Sequence, residues 1–184
     1  MDYDVIIVGG GPAGLFSAYY LSEHSDKKVL LIEKGKVSKK RNCPITSYQE
    51  CIKCKPCNIL SGIGGAGLFS DGKLNYIYKL GKTDLAQFMP RHQAEKLIDE
   101  TEEIFNKFGM DGPAYPTDME EAREIRKRAK RYGIDLLIIK QKHLGSDRLP
   151  EHIACMADYI KSKGVAIHTS EEVKKVLIEN NHVV

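Results

Sequence analysis

Residues 5–14 read VIIVGGGPAG, and this stretch decides the fold of the chain. Its four β-branched apolar residues predict a parallel strand that is covered on both faces, and the glycines after them fit the pattern G-x-G-x-x-G. Residues 15–23 continue with apolar positions spaced as on one face of a helix. Residues 29–32, VLLI, predict a second buried strand, which closes on Glu33. The order of strand, glycine turn, helix, strand and acid predicts a nucleotide-binding βαβ unit.

Each part of this unit has a physical role in holding a dinucleotide. Gly9 permits the tight turn, Gly11 lets the backbone approach a pyrophosphate, and Gly14 allows the helix to pack closely on the sheet. The helix N-terminus directs amide N–H groups and the positive end of its dipole towards the phosphates. Glu33, at the end of the second strand, is positioned to accept hydrogen bonds from ribose hydroxyls.

Composition and charge exclude several classes of protein. The chain has 184 residues, of which 42% are hydrophobic and 29% are charged, which is typical of a soluble globular domain or part of one. No run approaches the roughly 18 apolar residues that a membrane span needs, and the N-terminus carries no secretory signal pattern. We therefore expect a cytoplasmic protein without a membrane segment. The net charge of +3 is too small to indicate a nucleic-acid partner.

The dinucleotide is indicated by a resemblance. Residues 4–14 and the closing IEKG of residues 32–35 resemble the N-terminal fingerprint of FAD-containing oxidoreductases of the glutathione-reductase type. The resemblance implies FAD rather than NAD as the bound cofactor, with Glu33 at the adenosine ribose and the amides of residues 11–14 at the pyrophosphate. The cofactor-binding candidates of this unit are Gly9, Gly11, Pro12, Ala13, Gly14, Glu33 and Lys34.

Later segments resemble a narrower family. The segments RNCP at 41–44, CIKCKPC at 51–57, SGIGGAGLFSDGKLN at 61–75 and HLGSDRL at 143–149 are similar to bacterial and archaeal FAD-dependent, or NAD(FAD)-utilising, dehydrogenases. The last segment departs from that family's H-I-G-T-D motif by Leu for Ile and Ser for Thr. The resemblance implies hydride transfer from a small-molecule substrate to flavin, with NAD(P)H as a further electron partner. Members of that family are usually longer, and residues 182–184 stop inside a predicted hairpin, so we expect an N-terminal fragment.

Glycine and basic residues after the βαβ unit supply further candidates. Five glycines in residues 62–72 suit a backbone that approaches a ligand closely, although a flexible loop is the alternative. In the resembled fold this segment returns across the flavin, which implies that Gly64, Gly65, Ala66, Gly67, Phe69 and Ser70 lie near the pyrophosphate or isoalloxazine. Arg41 could neutralise a phosphate or lie in a solvated basic loop. Val173 is a candidate for backbone contact with the adenine in the same fold.

Four of the five cysteines form a cluster with the spacing C-x7-C-x2-C-x2-C, namely Cys43, Cys51, Cys54 and Cys57. Thiolates at this spacing can converge on one metal ion or cluster. The spacing leaves four hypotheses open, which are an iron–sulfur cluster, a structural zinc site, redox-active dithiols facing the flavin, and buried cysteines with no special role. Cys155 lies in a helical pattern and is expected to pack in the core.

The remaining periodicity predicts mainly architecture. It predicts helices at 93–108, 116–132 and 150–163, a buried strand at 134–139, a strand at 165–168, and a strand at 172–179 followed by a type I′ turn at Asn180-Asn181. We expect an α/β fold, a Rossmann-like FAD-binding domain with a parallel sheet. Its expected parts are the βαβ unit at 1–36, a Cys/Gly-rich segment at 37–80, a helical insertion at 81–133 and a return to the sheet at 134–184.

Two classes of function fit these patterns. The first is a FAD-dependent oxidoreductase, and the second is a non-catalytic flavin- or nucleotide-binding module with a structural metal site. In the second class the basic face of helix 116–132 would engage an anionic partner, although a solvated face explains the same charges. No pattern identifies a catalytic residue, and the polar candidates in or near the shared motifs are Lys73, His92, His143, Asp147 and His152.

Overall fold

The computed structural model describes residues 2–48, 50–145, 147–180 and 182–183, and the chain divides into two compact units. Unit 1 comprises residues 1–70 and 146–184, and unit 2 comprises residues 71–145. Within the described ranges, no helix has the length and apolar character needed to cross a membrane.

The elements of unit 1 are β1 (Val5–Val8), α1 (Pro12–His24), β2 (Val29–Glu33), α2 (Ile45–Tyr48), α5 (Leu149–Ser162), β8 (Ala166–Thr169), β9 (Ile178–Glu179) and β10 (His182–Val183). Those of unit 2 are β3 (Lys73–Tyr76), β4 (Lys79–Leu80), β5 (Thr83–Asp84), α3 (Arg91–Lys107), β6 (Ala114–Tyr115), α4 (Met119–Lys130) and β7 (Lys140–His143). Short 3-10 helices lie at Ser38–Lys40, Ala66–Phe69 and Leu85–Gln87.

Unit 1 is built on a three-stranded parallel sheet in the order β1, β2, β8. Residues of β2 are almost wholly buried because β2 is the central strand of the three. The register pairs Val8 of β1 with Ile32 of β2, and Glu33 of β2 with Thr169 of β8. All three strands therefore end at the same edge of the sheet. The predicted α/β fold with a parallel sheet is confirmed.

Two helices supply most of the remaining core of unit 1. The inward residues of α1 are Leu15, Ala18 and Tyr19, as the helical spacing predicts. Helix α5 buries Ile153, Met156 and Ile160, among others, and packs against α1, with 6.0 Å between the ring centroids of Tyr19 and Tyr159. The predicted helix at 150–163 is therefore confirmed within one residue at each end.

The prediction that the first strand is covered on both faces is wrong. Ile6 and Val8 in β1 are 48% and 61% exposed, and they alternate with the half-buried Val5 and Ile7. Because successive side chains of a strand point to opposite faces, one face of β1 is open among the described residues. β1 is also an edge strand of this sheet, and the apolar run alone does not distinguish an edge strand from a central one.

The predicted hairpin near the end of the chain is present, but its first strand is shorter than predicted. Only Ile178–Glu179 of the predicted strand at 172–179 is extended and paired, with His182–Val183 as its antiparallel partner. Asn180 has a positive φ of 51°, as the first turn residue of a type I′ turn requires. Asn181 lies outside the described residues, so the turn type stays a prediction.

Unit 2 contains an antiparallel sheet in the order β3, β7, β6, together with the predicted helices α3 and α4. The buried strand predicted at 134–139 is wrong, because the strand is Lys140–His143 and the apolar side chains before it, such as Leu137, are largely exposed. The observed strand is polar in sequence, and hydrogen bonds compensate its burial. Lys142 is buried, and its Nζ lies 3.1 Å from Glu102 Oε1 and 2.6 Å from Asn106 Oδ1.

Lys140 and Lys142 hold the carboxylate of Glu102 in its charged form. Burial acts to raise the pKa of Glu102, but hydrogen bonds from both lysines outweigh burial, so the pKa lies below its ordinary value. This ion cluster joins α3 to β7. A periodicity argument cannot anticipate it, because its members are separated by about 40 residues of sequence.

Candidate functional site

The turn between β1 and α1 forms one side of the candidate site. Gly9 has a φ of 105°, which favours glycine, and its N–H donates to the Ile32 carbonyl at 2.8 Å. Helix α1 begins at Pro12, and no side chain caps its N-terminus at Gly11. The first amide groups of a helix have no intrahelical acceptor, and Pro12 has no N–H, so those of Ala13 and Gly14 remain to bind an anion. The helix N-terminus is thus suited to a phosphate.

Gly14 sets the distance between α1 and the turn. A β-carbon on Gly14 would lie 1.9 Å from the Gly9 carbonyl oxygen and 3.4 Å from a methyl group of Ile7. A real β-carbon does not approach an oxygen this closely, so only glycine fits this position. The close packing that the sequence pattern predicts for Gly14 is therefore present.

Glu33 connects the three glycine-containing segments of the site. Its Oε2 accepts the N–H of Gly10 at 2.7 Å, and its Oε1 accepts the N–H groups of Gly35 at 2.7 Å and Gly62 at 2.8 Å. The residue is only 6% exposed. A carboxylate has about four acceptor positions, so three are filled by backbone amides and one remains on Oε2. The prediction that Glu33 accepts from ribose hydroxyls requires that remaining position.

Arg41 has a different environment from the one predicted. Its side chain is 2% exposed and donates to five backbone carbonyls of the segment that follows the cysteines. The acceptors are Asn58 O at 2.9 Å from Nε, Ile59 O at 2.6 Å from Nη2, and Gly62 O, Ile63 O and Gly65 O at 3.4, 2.9 and 2.8 Å from Nη1. The guanidinium is therefore neither in a solvated loop nor presented to a phosphate, and its hydrogen bonds go to the chain itself.

Charge and burial oppose each other at Arg41. Burial lowers the pKa of the guanidinium below its ordinary value, while the Glu33 carboxylate and the Cys57 thiol act to raise it. Its Cζ lies 4.9 Å from the ring centroid of Phe69, which covers one face of the guanidinium. An arginine stays protonated in such surroundings, so Arg41 and Glu33 place opposite charges on the two sides of the glycine-rich segment.

The glycine-rich segment lies directly beside the turn. Gly64 N–H donates to Gly10 O at 2.8 Å, and a β-carbon on Gly65 would meet Pro12 Cδ at 3.2 Å. The structure therefore brings Gly64 and Gly65 together with the α1 N-terminus. Ala66, Gly67 and Phe69 continue in the 3-10 helix Ala66–Phe69, which is anchored by the buried Leu68.

No contact described for three other cofactor candidates joins them to the α1 N-terminus, so their role stays a prediction. Ser70 is exposed, and its hydroxyl donates to Gly67 O at 2.7 Å. Lys34 is exposed at the surface. Val173 is half-buried and lines an open groove of about 740 Å³ with Val8 and Ile32, along the uncovered side of β1.

The predicted metal-binding cysteines do not form a preassembled site. None of the five cysteines forms a disulfide within the described part of the chain, and Cys51 and Cys155 are exposed. Among the described residues, no three His, Cys, Asp or Glu side chains converge so that they could hold a metal ion. The pKa of Cys57 lies below its ordinary value because its thiol accepts the N–H groups of Leu60 and Ile59 and lies near Arg41. The exposure of Cys155 contradicts its predicted place in the core.

Unit 2 brings two of the shared motifs side by side. β3 and β7 pair Lys73 with His143, and Leu144 N–H donates to Gly72 O at 2.9 Å. Lys73 forms an exposed ion pair with Asp71, at 2.9 Å between Nζ and Oδ2. Of the other polar candidates, His92 lies on α3 of unit 2, and His152 and Asp147 belong to unit 1.

Gly10, Gly35 and Gly62 are site residues that the sequence argument did not select. Each donates its N–H to Glu33, and a β-carbon on Gly35 would lie 2.4 Å from Gly62 N. A signal for Gly35 was available, since a glycine two residues after a strand-ending acid can fold back onto its carboxylate. The link to Gly62 spans 29 residues and carries no local signal.

Comparison with known proteins agrees with this geometry. Residues 4–43 match the family model described as FAD dependent oxidoreductase. That match contains the turn, α1, Glu33 and Arg41. The protein LodB of Marinomonas mediterranea, provisionally named a FAD-dependent oxidoreductase, is 54% identical over 40 residues, which are 22% of this chain and 11% of LodB. An uncharacterised protein of Clostridium beijerinckii is 37% identical over 70 residues, which are 38% of this chain and 13% of that protein.

Solved structures resemble the chain over nearly its whole length. An L-amino acid deaminase from Proteus vulgaris with its specific insertion sequence deleted has a TM-score of 0.51 and 18% identity, covering 99% of this chain and 48% of that one. The glycine oxidase from Bacillus cereus has a TM-score of 0.50 and 19% identity, covering 99% and 50%. At these identities the likeness shows the fold, a Rossmann-like α/β arrangement. The chain spans about half the length of these structures and a smaller part of the curated relatives.

Proposed function

We propose that this protein is a FAD-dependent oxidoreductase in which a small-molecule substrate gives a hydride to the flavin. The observation that carries the proposal is the uncapped N-terminus of α1 beside the Glu33 carboxylate, within the segment that matches FAD dependent oxidoreductases. A helix N-terminus supplies amide donors for phosphates, and an acid at the end of the second strand supplies an acceptor for ribose. Both requirements of an ADP group are met within one βαβ unit.

The chain's own residues divide the work of holding FAD. The amides of Ala13 and Gly14 would bind the pyrophosphate, and the remaining acceptor position of Glu33 Oε2 would bind a ribose hydroxyl. Gly65 lies against that helix end, where a β-carbon would meet Pro12 Cδ at 3.2 Å and Gly11 Cα at 3.3 Å, so the absence of a side chain keeps the approach open. FAD itself supplies the hydride acceptor, and the protein contributes binding and orientation.

The finer parts of the proposal rest on the sequence. The resemblance to glutathione-reductase-type flavoproteins and to bacterial and archaeal NAD(FAD)-utilising dehydrogenases supports NAD(P)H as an electron partner. We extend the proposal to a cytoplasmic location. The modest net charge supports a small-molecule substrate rather than a nucleic acid.

The cysteine cluster has no chemical step in this proposal. The spacing of Cys43, Cys51, Cys54 and Cys57 supports an iron–sulfur cluster or zinc, but the described side chains do not fit a metal site as they are arranged. Elemental analysis of the purified protein measures its iron and zinc content directly. Zinc at about one equivalent per chain, or iron at about two to four equivalents with matching sulfide, would require these cysteines to rearrange around the metal.

Reduction of the bound flavin tests the enzymatic part of the proposal. We expect FAD held by the protein to lose its oxidised absorption band under anaerobic conditions when a hydride donor is added. The donors to test are NADH, NADPH and a panel of amino acids and hydroxy acids. The control is free FAD with the same donor, which separates protein-dependent reduction from reaction in solution.

The same experiment separates the two classes of function. Protein-dependent reduction by any donor supports an oxidoreductase. FAD binding without reduction by any of them contradicts the oxidoreductase and supports a nucleotide-binding module. Helix α4 is the surface on which such a module would meet an anionic partner, and Arg128, Lys130 and Arg131 form no ion pair among the described residues.

A further inference from the structure

We propose that Arg41 is a positioning residue. By fixing the backbone of residues 58–65, which contains the first glycines of the glycine-rich segment, it sets the orientation in which Glu33 binds ribose. This inference rests on the proposed function, because it assigns Arg41 a role in the nucleotide site. It replaces the role suggested by the basic sequence around Arg41, which was direct neutralisation of a phosphate. Arg41 would act through the backbone of residues 58–65 and would not touch the nucleotide.

Arg41 supplies five of the hydrogen bonds that hold this segment in place. The guanidinium donates to five carbonyls within eight residues, from Asn58 to Gly65. A planar guanidinium presents its donors in a fixed fork, so these hydrogen bonds fix orientation as well as distance. The Asn58 side chain also anchors the segment, because it donates a hydrogen bond to Asn42 O at 2.8 Å. A glycine-rich segment has little conformational preference of its own, so it needs such external restraint.

The restrained segment then acts on Glu33. Among the described contacts Arg41 donates no hydrogen bond to Glu33, but both side chains bind the same residue, since Gly62 O lies 3.4 Å from Arg41 Nη1 and Gly62 N lies 2.8 Å from Glu33 Oε1. With Oε1 filled by Gly35 and Gly62, the carboxylate cannot rotate without breaking two hydrogen bonds. That leaves the single open acceptor position on Oε2, next to Gly10. Arg41 therefore fixes the orientation of the carboxylate through Gly62.

The segment also meets the turn on its other side. Gly64 N–H donates to Gly10 O, and Gly10 N–H donates to Glu33. Gly62 N–H also donates to Glu33, so residues 62–64, the turn and the acid form a closed ring of hydrogen bonds that passes through Gly10. Phe69 covers the guanidinium from outside, with its ring centroid 4.9 Å from Cζ. The low exposure of Arg41 and its carbonyl partners keep its charge away from a ligand and direct it to this ring.

Selectivity for ribose hydroxyls measures this role. The probes are ADP and 2′,3′-dideoxyadenosine diphosphate, which differ only in the hydroxyls, and their Kd values are measured by calorimetry. We expect the chain to prefer ADP by about tenfold or more, the range for a hydrogen bond to a charged group. In the variants Arg41→Met and Arg41→Lys the ratio of the two Kd values is expected to fall towards one, because neither side chain can donate hydrogen bonds to five carbonyls. Lys40→Met is the matched control, since Lys40 is exposed and adjacent to Arg41. The Lys40→Met variant is expected to keep the preference for ADP of the unmodified chain.

A phosphate-binding role predicts the opposite pattern. If Arg41 neutralises a phosphate, Arg41→Met weakens both nucleotides equally and keeps their ratio, and Arg41→Lys restores binding through its charge. Either result overturns the inference. Failure of the chain itself to bind ADP or FAD contradicts the proposed function instead, and it is seen before any variant is made.

Amide hydrogen exchange tests the inference without nucleotide, first in the unmodified chain and then in the variants. In the nucleotide-free chain, the amides of Gly62 and Gly64 are expected to be protected, because they donate to Glu33 and Gly10. Protection of Gly62 is expected to decrease in Arg41→Lys and to persist in Lys40→Met. Rapid exchange of both amides in the unmodified chain contradicts a segment that Arg41 holds in place.

Discussion

Replacement of Gly14 by alanine is expected to lower the free energy of unfolding by about 3 kcal/mol, at the upper end of the cost of overpacking. The new β-carbon would lie 1.9 Å from the Gly9 carbonyl oxygen, which belongs to the backbone of the turn. Gly9 cannot shift easily because its N–H is bonded to Ile32 O in the sheet. The helix must therefore move away from β1. Alanine gains at most about 1 kcal/mol in helix propensity, so the clash dominates.

Gly11→Ala is the matched control for this prediction. Gly11 lies in the same turn and has an ordinary φ of −73°, and a β-carbon there would meet no atom closer than 3.9 Å. The free energy of unfolding of the Gly11→Ala variant is expected to stay within about 0.5 kcal/mol of that of the unmodified chain, as for most surface changes. Denaturant titration followed by circular dichroism measures both variants. Equal stability of the two variants would contradict the close approach of α1 to the turn.

Replacement of Glu33 by glutamine is expected to cost about 2–3 kcal/mol of stability and to weaken ADP binding, because hydrogen bonds to a charged group are worth about 1.5–3 kcal/mol. The glutamine oxygen can still accept from Gly35 and Gly62, but its NH2 group then faces the N–H of Gly10. Two donors in contact leave Gly10 without an acceptor in a buried position. The remaining acceptor position for ribose is lost at the same atom.

Glu103→Gln provides the comparison for Glu33→Gln. Glu103 lies on an exposed position of α3, and the described residues give it no ion pair. The stability and the ADP affinity of the Glu103→Gln variant are expected to match those of the unmodified chain. Thermal unfolding and calorimetric titration are measured on both variants. A Glu33→Gln variant that unfolds and binds ADP like Glu103→Gln would show that the carboxylate has no special role.

The βαβ unit could be predicted from the sequence because its signals are local. The apolar run of residues 5–8, the glycine pattern and the acid at position 33 each act on neighbouring residues, and the structure confirms the strand, helix and strand they indicate. Helices α3, α4 and α5 were predictable for the same reason. Their apolar spacing, caps and ending glycines lie within each element.

Features that depend on distant partners could not be predicted in this way. Arg41 stands in a run of basic residues, and its carbonyl partners lie 17 to 24 residues further along the chain. The apolar run of residues 134–139 has the composition of a buried strand, yet the polar residues after it form the strand. In that strand, the ion cluster of Lys140 and Lys142 with Glu102 on α3 compensates the burial of Lys142.

The central claim is that the N-terminus of α1 and Glu33 bind the ADP part of FAD. Calorimetric titration of the chain with FAD, ADP and FMN tests it most directly, because FMN carries the flavin but lacks the adenosine. The account predicts that FAD and ADP bind at one site, that each displaces the other, and that FMN does not bind in the same concentration range. Binding of FMN as tightly as FAD, or no binding of ADP, would contradict it.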